Sequence, residues 1–415
     1  MAIHPSKLGR IAVAKQSAWG TKQTSFPSST FAEVEVVMPD LAREALMTEA
    51  YRGMFHSHRI KAGSREGATM SLRMPLHGYS ASTPTGDPTS SDQTVESVLL
   101  EYAMGAVLFN TATGNTVGAY SDPTLTLAAA AASEVGTAIM AKTSSSETQH
   151  SIGFIKAQSG TDDKVLTLTS NLANAAIVGQ PVYGSITHFI SSNQPAQGLS
   201  VEYMGADSTS RIILFDGCVG SLKITISPRE QPMLEAELHF ADFELLGTGG
   251  NPGQYTFPQP QLPAAIGSNG TRMLINGSAI DSISAEFEVA CEYVAVGNHS
   301  SSEGVSKYII SDRTVTLNVT TPASSINDSA VHAPGVELDF LQIDLNANVP
   351  GQAAALLIPK AIVMEQSTIG DSDGIVAITS TFGAAYYDSD ASDGSITTGS
   401  GTTTAADTVA RVALL

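Results

Sequence analysis

The chain has 415 residues, too many for one ordinary domain and enough for two or three. Its 40 acidic against 21 basic residues give a formal charge of −19, which repels nucleic acid and anionic membranes and argues against stable binding to either, though not against transient passage of DNA. Charged residues make up only 15% while Gly, Ser, Thr and Ala dominate, a balance that suits β-structure with many turns rather than a helical bundle. The two cysteines, Cys218 and Cys291, form neither a disulfide framework nor a zinc spacing and read as buried free thiols. Met1–Arg10 carries charge without a following apolar stretch of the kind a signal peptide needs. No run reaches the roughly 18 apolar residues of a membrane span. The chain therefore reads as a soluble protein made in a reducing cytoplasm, with no cofactor expected.

Taken in chain order, the first strand signal is Met70, Leu72 and Met74, alternating with polar neighbours. Val95, Val98, Leu99, Tyr102 and Ala103 fall at helical spacing and make one apolar stripe, with Ser91 or Asp92 to cap the start and Gly105 to end it. From about Ala106 to Gly198 the chain turns rich in Thr, Ser and Ala, with short strand candidates at Gly153–Ala157 and Val165–Thr169, and reads as a small inserted β module. Leu222, Ile224 and Ile226, then Leu234, Ala236, Leu238 and Phe240, alternate with polar residues on either side of a turn at Pro228–Pro232. This predicts a long β-hairpin with one dry and one wet face. Ile283–Val289, Thr314–Val319 and Val336–Phe340 repeat the alternation. Tyr387–Thr404 is a Gly, Ser, Thr and Asp-rich linker, and the apolar end Asp407–Leu415 is expected to dock as a strand.

The two halves also resemble each other. Gly67–Pro75 has a counterpart in Asp312–Pro322, and Leu199–Phe240 has one in Val336–Phe382. The expected fold is mainly β, with two tandem sandwich or half-barrel domains carrying long hairpins, one flanking helix and an inserted module. The boundaries are 1–105 with 199–262 for the first domain, 106–198 for the insert, 263–386 for the second domain and 387–415 for the C-terminal linker and strand.

Motifs that could carry chemistry have plainer readings. Gly370–Gly374 matches G-x-S-x-G, but a strand follows it where a nucleophile elbow needs a helix, and no His lies beyond His332, so it reads as a hairpin turn. Asp388–Gly394 has the wrong spacing for a calcium loop. His56 and His58 would share a strand face without a convincing third ligand, and Gly247–Gly250 lacks a phosphate-binding Lys. The sequons at Asn269, Asn276 and Asn298 are what a Ser/Thr-rich chain produces by chance. One Trp and 6% aromatic residues argue against a glycan-cleaving cleft, so no catalytic residue, cofactor site or metal site is assigned and the chain is not expected to be an enzyme.

Three segments carry a family resemblance. The opening Gly9–Thr21 (GRIAVAKQSAWGT), the stretch Phe215–Ile224 (FDGCVGSLKI) and the helix Thr94–Met104 ahead of an insert follow one another in an order that resembles the tail tube (major tail) proteins of long-tailed phages. The resemblance implies a β-sandwich or half-barrel flanked by one helix, whose subunits join side by side into rings that stack around a lumen for DNA. A duplicated fold implies trimeric rings with pseudo-sixfold symmetry, a single fold hexamers. It further implies tape measure and tail terminator or tip proteins as partners, no membrane, assembly in the host cytoplasm and residence in the virion tail. Glu235, Glu237, Glu286, Glu288, Glu337 and Asp339, on wet strand faces, would then be candidates to line the lumen and repel passing phosphate. The rival expectations are a capsid decoration protein, a secretion tube and an extracellular adhesin.

Overall fold

The computed structural model describes residues 9–21, 23, 26, 31–40, 43–49, 58–65, 68–80, 83–129, 135–143, 149–205, 211–227, 230–246, 271–275, 277–297, 305–323, 333–365, 367–372, 374–385, 395–398, 401–404 and 409–415. The protein is mainly β with one α-helix among the described residues. Strands β1 (Gly9–Lys15), β2 (Phe31–Asp40), β3 (Arg43–Glu49), β4 (His58–Arg65) and β5 (Ala68–Pro75) precede helix α1 (Val95–Met104). Then follow β6 (Gly105–Phe109), β7 (Val117–Ser121), β8 (Thr124–Leu127), β9 (Ala138–Lys142), β10 (His150–Ser159), β11 (Val165–Leu168), β12 (Val182–Tyr183) and β13 (Ile186–Ile190). The meander β14 (Leu199–Gly205), β15 (Arg211–Ile226) and β16 (Met233–Leu246) completes the first half.

Within that half every strand of one cycle has two neighbours. β1 pairs with β2, β2 with β5, β5 with β16, β16 with β15, β15 with β14, and β14 returns to β1, all antiparallel. The result is a small closed barrel, a solution that leaves no edge around its circumference. Its interior is filled by the alternating residues the sequence marked: Met70, Leu72, Met74, Leu222, Ile224, Leu234, Leu238 and Phe240 are all buried. β15 is a single strand from Arg211 onward, bent by a register shift between Val219 and Ser221. Two glycines permit the bend: a Cβ on Gly217 would lie 2.5 Å from the Phe240 ring, and one on Gly220 would lie 2.5 Å from His239 Nε2.

Helix α1 covers this barrel. Its expected stripe is buried, but so are Glu96, Ser97, Leu100 and Met104, so it is enclosed nearly all round. The N-cap is Thr94, whose side chain accepts from the Ser97 N–H, and not Ser91 or Asp92. Those two residues form a 3₁₀ turn of their own, held by the Thr89 N–H donating to Asp92 Oδ2 at 2.8 Å. Gly105 ends the helix at φ 97°, as expected.

The second half comprises β17 (Arg272–Ile275), β18 (Ser278–Ile280), β19 (Ser284–Gly297), β20 (Val305–Pro322), β21 (Glu337–Leu345), β22 (Ala354–Val363), β23 (Thr368–Ser372) and β24 (Ile375–Ala384). After it come the hairpin β25 (Ser395–Thr398)–β26 (Gly401–Thr404) and the terminal strand β27 (Arg411–Leu414). The pairings repeat the first cycle step by step: β17–β21, β21–β22, β22–β24, β24–β20 and β20–β19 match β1–β14, β14–β15, β15–β16, β16–β5 and β5–β2. Each half also projects a long hairpin arm, β2–β3 against β4–β5 and β19 against β20. The second cycle differs in one respect. Among the described residues β17 pairs with β18 and not with β19, so the cycle stays open.

The halves are joined edge to edge. Beyond its bend, β15 pairs through Ser221–Ile226 with Ala290–Ala285 of β19, and one apolar core runs across both halves. Residues 106–198 divide into two parts. β7 to β12 form a separate sheet with its own core, while the flanking strands β6 and β13 pair with each other and join the main sheet. The separate sheet is seated on the second half: Met140, Ile152 and Phe154 pack against Ala355, Leu357 and Leu415. The terminal strand docks as expected, between β13 and β22.

Candidate functional site

The antiparallel register decides which of the expected acidic residues share a face. Arg73, Glu235, Lys223, Glu288 and Thr316 stand opposite one another across β5, β16, β15, β19 and β20. The next positions on the same face add Glu237 and Glu286. From Thr316 the row continues through Gly383 of β24 and Ile362 of β22 to Glu337, with Asp339 two residues on and opposite Lys360. Glu235, Glu237, Glu286, Glu288, Glu337 and Asp339 thus lie on one face of one continuous curved ladder. It is the face turned away from the apolar core, because the intervening Leu234, Leu222, Phe287, Leu317 and Phe382 are buried.

Cations that the sequence reading did not weigh are interleaved with these carboxylates. Arg73 Nε lies 3.1 Å from Glu235, Lys223 Nζ 2.7 Å from Glu286 and Lys360 Nζ 2.7 Å from Glu337. The carboxylate of Glu286 raises the pKa of Lys223, first by accepting its hydrogen bond, so Lys223 stays charged. His239 sits 3.3 Å from Glu237, but partial burial lowers its pKa, which keeps it neutral at neutral pH. Of this set, six carboxylates face three permanent cations, and the face is acidic but not a bare anionic wall. One signal could have shown this: Arg73 and Lys223 occupy wet positions of the same alternating runs that carry the acids.

The discounted motifs fall as follows. Ser372 and Ile375 pair across a turn containing Gly374 at φ 81°, so the motif Gly370–Gly374 comprises the end of β23 and the β23–β24 hairpin turn. His58 lies on β4, whereas His56, Gly247–Gly250, Asp388–Gly394, Asn269, Asn276 and Asn298 lie outside the described residues. Among the described residues no group of three His, Cys, Asp or Glu is placed to hold a metal ion. Among the described residues no helix is long and apolar enough to cross a membrane.

An open cleft of about 590 Å³ lies at the foot of α1, lined by Lys15, Glu101, Tyr102, Gly105 and the 192–197 loop. Its charges neutralise each other, with Lys15 Nζ 2.6 Å from Glu101, and Tyr102 donates to the Gln197 and Gly198 carbonyls. The buried titratable groups are structural. His77 Nδ1 lies 2.5 Å from Glu96 in the interior, and His188 Nε2 meets Ser97 Oγ at 3.1 Å. Asp344, fully buried, is met by Arg272 at 3.2 Å and Gln342 at 2.7 Å. Arg272 and Gln342 also donate to the carbonyls of His150 and Ile152, which ties the inserted sheet to the second half. Cys218 and Cys291 are both free and buried, and burial pushes their thiols up to about 12 and about 11, which leaves them unreactive. Trp19 packs beside Cys218, Ala241 and Tyr308.

No protein-family model matches the chain, and no curated protein is similar to it in sequence.

Proposed function

We propose that the chain is a structural subunit of a phage tail tube, assembling into stacked rings around a lumen through which DNA passes. The observation that carries this reading is the repeated half. The chain contains the same strand cycle and hairpin arm twice, joined edge to edge, and its core-averted face is a continuous ladder bearing six carboxylates. Three such chains continuing the same joint would close a ring of six near-equivalent units, and closure would remove the open strand edges that a single chain exposes. The acidic face would then look into the lumen, where a net negative wall keeps phosphate from adhering. Tape measure and tail terminator or tip proteins are the partners this role requires. In this reading the chain performs no catalysis.

Negative-stain electron microscopy of the purified protein, with end-on views averaged for symmetry, tests the reading. Hollow rings or tubes with threefold or pseudo-sixfold averages are expected. Compact single particles at every concentration, with or without tail extract as a nucleator, would overturn it in favour of a decoration protein or an adhesin.

A further inference from the structure

The internal repeat identifies two strand edges, one in each half, that have no strand partner among the described residues. In the first half, the part of β15 beyond its bend pairs on one side with β16 and on the other with β19. Its counterpart in the second half is β23, which forms a hairpin with β24 as β15 does with β16. Among the described residues nothing pairs with the other edge of β23. The counterpart of β19 is β2. Its residues 31–34 pair with β1, while, among the described residues, 35–40 pair with β5 alone and their opposite edge has no partner. The stretch of β19 that β15 uses, Ala285–Ala290, is the corresponding stretch of the repeated arm.

Burial points the same way. Ile224, on β15 at the joint between the halves, is fully buried. Ile369, at the matching place on β23, is 74% exposed, and Val376, diagonal to it across the β23–β24 hairpin, is 59% exposed. Single exposed apolar side chains are ordinary, and Val178 and Val294 are comparably exposed elsewhere, but Ile369 and Val376 lie together beside an open strand edge. Every element of the β15–β19 joint therefore exists twice in the chain, once satisfied and once open.

We infer that β23 of one copy pairs antiparallel with residues 35–40 of β2 in a second copy, repeating the β15–β19 joint between molecules. This rests on the proposed ring, and it names the surfaces that form it. The backbone ladder supplies the affinity, and Ile369 with Val376 supplies the apolar contact that positions the partner. The acidic ladder is continued across the seam, since the repeat conserves which strand face is wet.

Disulfide trapping distinguishes this inference from the ring itself. Gly370→Cys is combined with Val37→Cys or with Glu35→Cys, since neighbouring same-face registers differ by two residues. Thr225→Cys with Glu286→Cys, directly opposed across the internal joint, is the control. The native thiols are buried and do not compete. Under mild oxidation the control closes within one chain, while at least one Gly370→Cys pair yields covalent dimers and trimers. Rings visible by microscopy with neither pair cross-linking between chains would overturn the edge assignment and leave the tube reading standing. Chains that stay single and never cross-link, with the control closed, would overturn both. Ile369→Lys gives a second readout: the variant is expected to melt as the parent does and to fail to assemble, and unimpaired assembly would count against the inference.

Discussion

The two halves of this molecule are built on one plan and finished differently. In the first, a closed cycle of strands is roofed by α1 and the edge of β15 beyond its bend is taken up by β19. In the second, among the described residues, the same cycle stays open between β17 and β19, and β23 presents its edge with Ile369 and Val376 exposed. The first half has its β15 edge satisfied by β19; the second leaves the matching β23 edge without a partner among the described residues. A chain that satisfies an interface internally and repeats its unsatisfied counterpart at the far end is suited to continue into further copies of itself.

Matched substitutions at the two ends of that comparison should give the largest effect. Ile224→Lys buries an unpaired charge in the barrel and should cost more than about 4 kcal/mol, enough to prevent folding. Ile369→Lys, at an exposed position, should stay within about 0.5 kcal/mol of the parent in chemical denaturation. Equal costs would mean that the surface of β23 is a structural core and not an open edge.

The next effect lies inside the first half. Glu96 is buried in the first turn of α1, where a carboxylate favours the helix N-terminus, and His77 is its partner. His77→Ala leaves that carboxylate buried without its partner and should cost about 3–5 kcal/mol. His77→Gln, which restores a donor, should recover part of it. A neutral His77→Ala would show that water or rearrangement satisfies Glu96.

Much of this plan was legible in the sequence because alternation survives wherever a strand has one dry face. Leu222–Ile226, Leu234–Phe240, Ala285–Val289 and Val315–Val319 all fall where they were expected, as does the helix. β22 was not legible as an alternating strand. Residues 353–359 are buried on both faces, one against the main core through Leu356 and Ile358, the other against the inserted sheet through Ala355 and Leu357. The alternation beginning at Val336 also stops at Phe340, whose φ of 50° breaks the pleat. The closure of the first barrel by β1 and β14 rests on pairings distant in sequence, which no local period reports. For the candidate face, the acids were legible one strand at a time. Their alignment across the ladder, and the cations among them, needed the register.

A third effect separates the halves by pH. Burial pushes the Asp344 carboxyl up to about 6, against the pull of Arg272 and the hydrogen bond from Gln342. Because the folded value lies above the ordinary 3.8, this group favours the fold at low pH and the contribution is lost as pH rises through about 6. The parent should therefore lose on the order of 3 kcal/mol relative to Asp344→Asn between about pH 4 and 7. His188 acts in the opposite sense. Burial lowers its pKa to about 3, so its contribution is present above about 6.5 and fades as the solution is acidified. The two windows overlap and their slopes oppose each other in the parent, so between about pH 4 and 6 stability should rise with pH in Asp344→Asn and fall with pH in His188→Gln. Parallel curves would mean that water reaches both groups.

The smallest effect concerns the ladder that both halves share. Lys223 belongs to the first half and Glu286 to the second, and their contact at 2.7 Å crosses the internal joint. Both side chains are about one-third exposed, so solvent screens the pair, and a double-mutant cycle with Lys223→Met and Glu286→Gln should give a coupling of about 0.5 kcal/mol that shrinks in high salt. Such a pair does little to hold the halves together; burial of Ile224 and Phe287 on the other face does that. Its larger consequence is for the charge of the face. Removing Lys223 takes the cation from beside Glu286 and Glu288, leaves Arg73 with Glu235 and makes the ladder more acidic, while Glu235→Gln with Glu288→Gln makes it less so. If the face lines a conduit, the two variants should shift DNA release from reconstituted particles in opposite directions while stability barely moves. Release that is indifferent to both would place these carboxylates on an outer surface, even in a ring whose strands join as inferred.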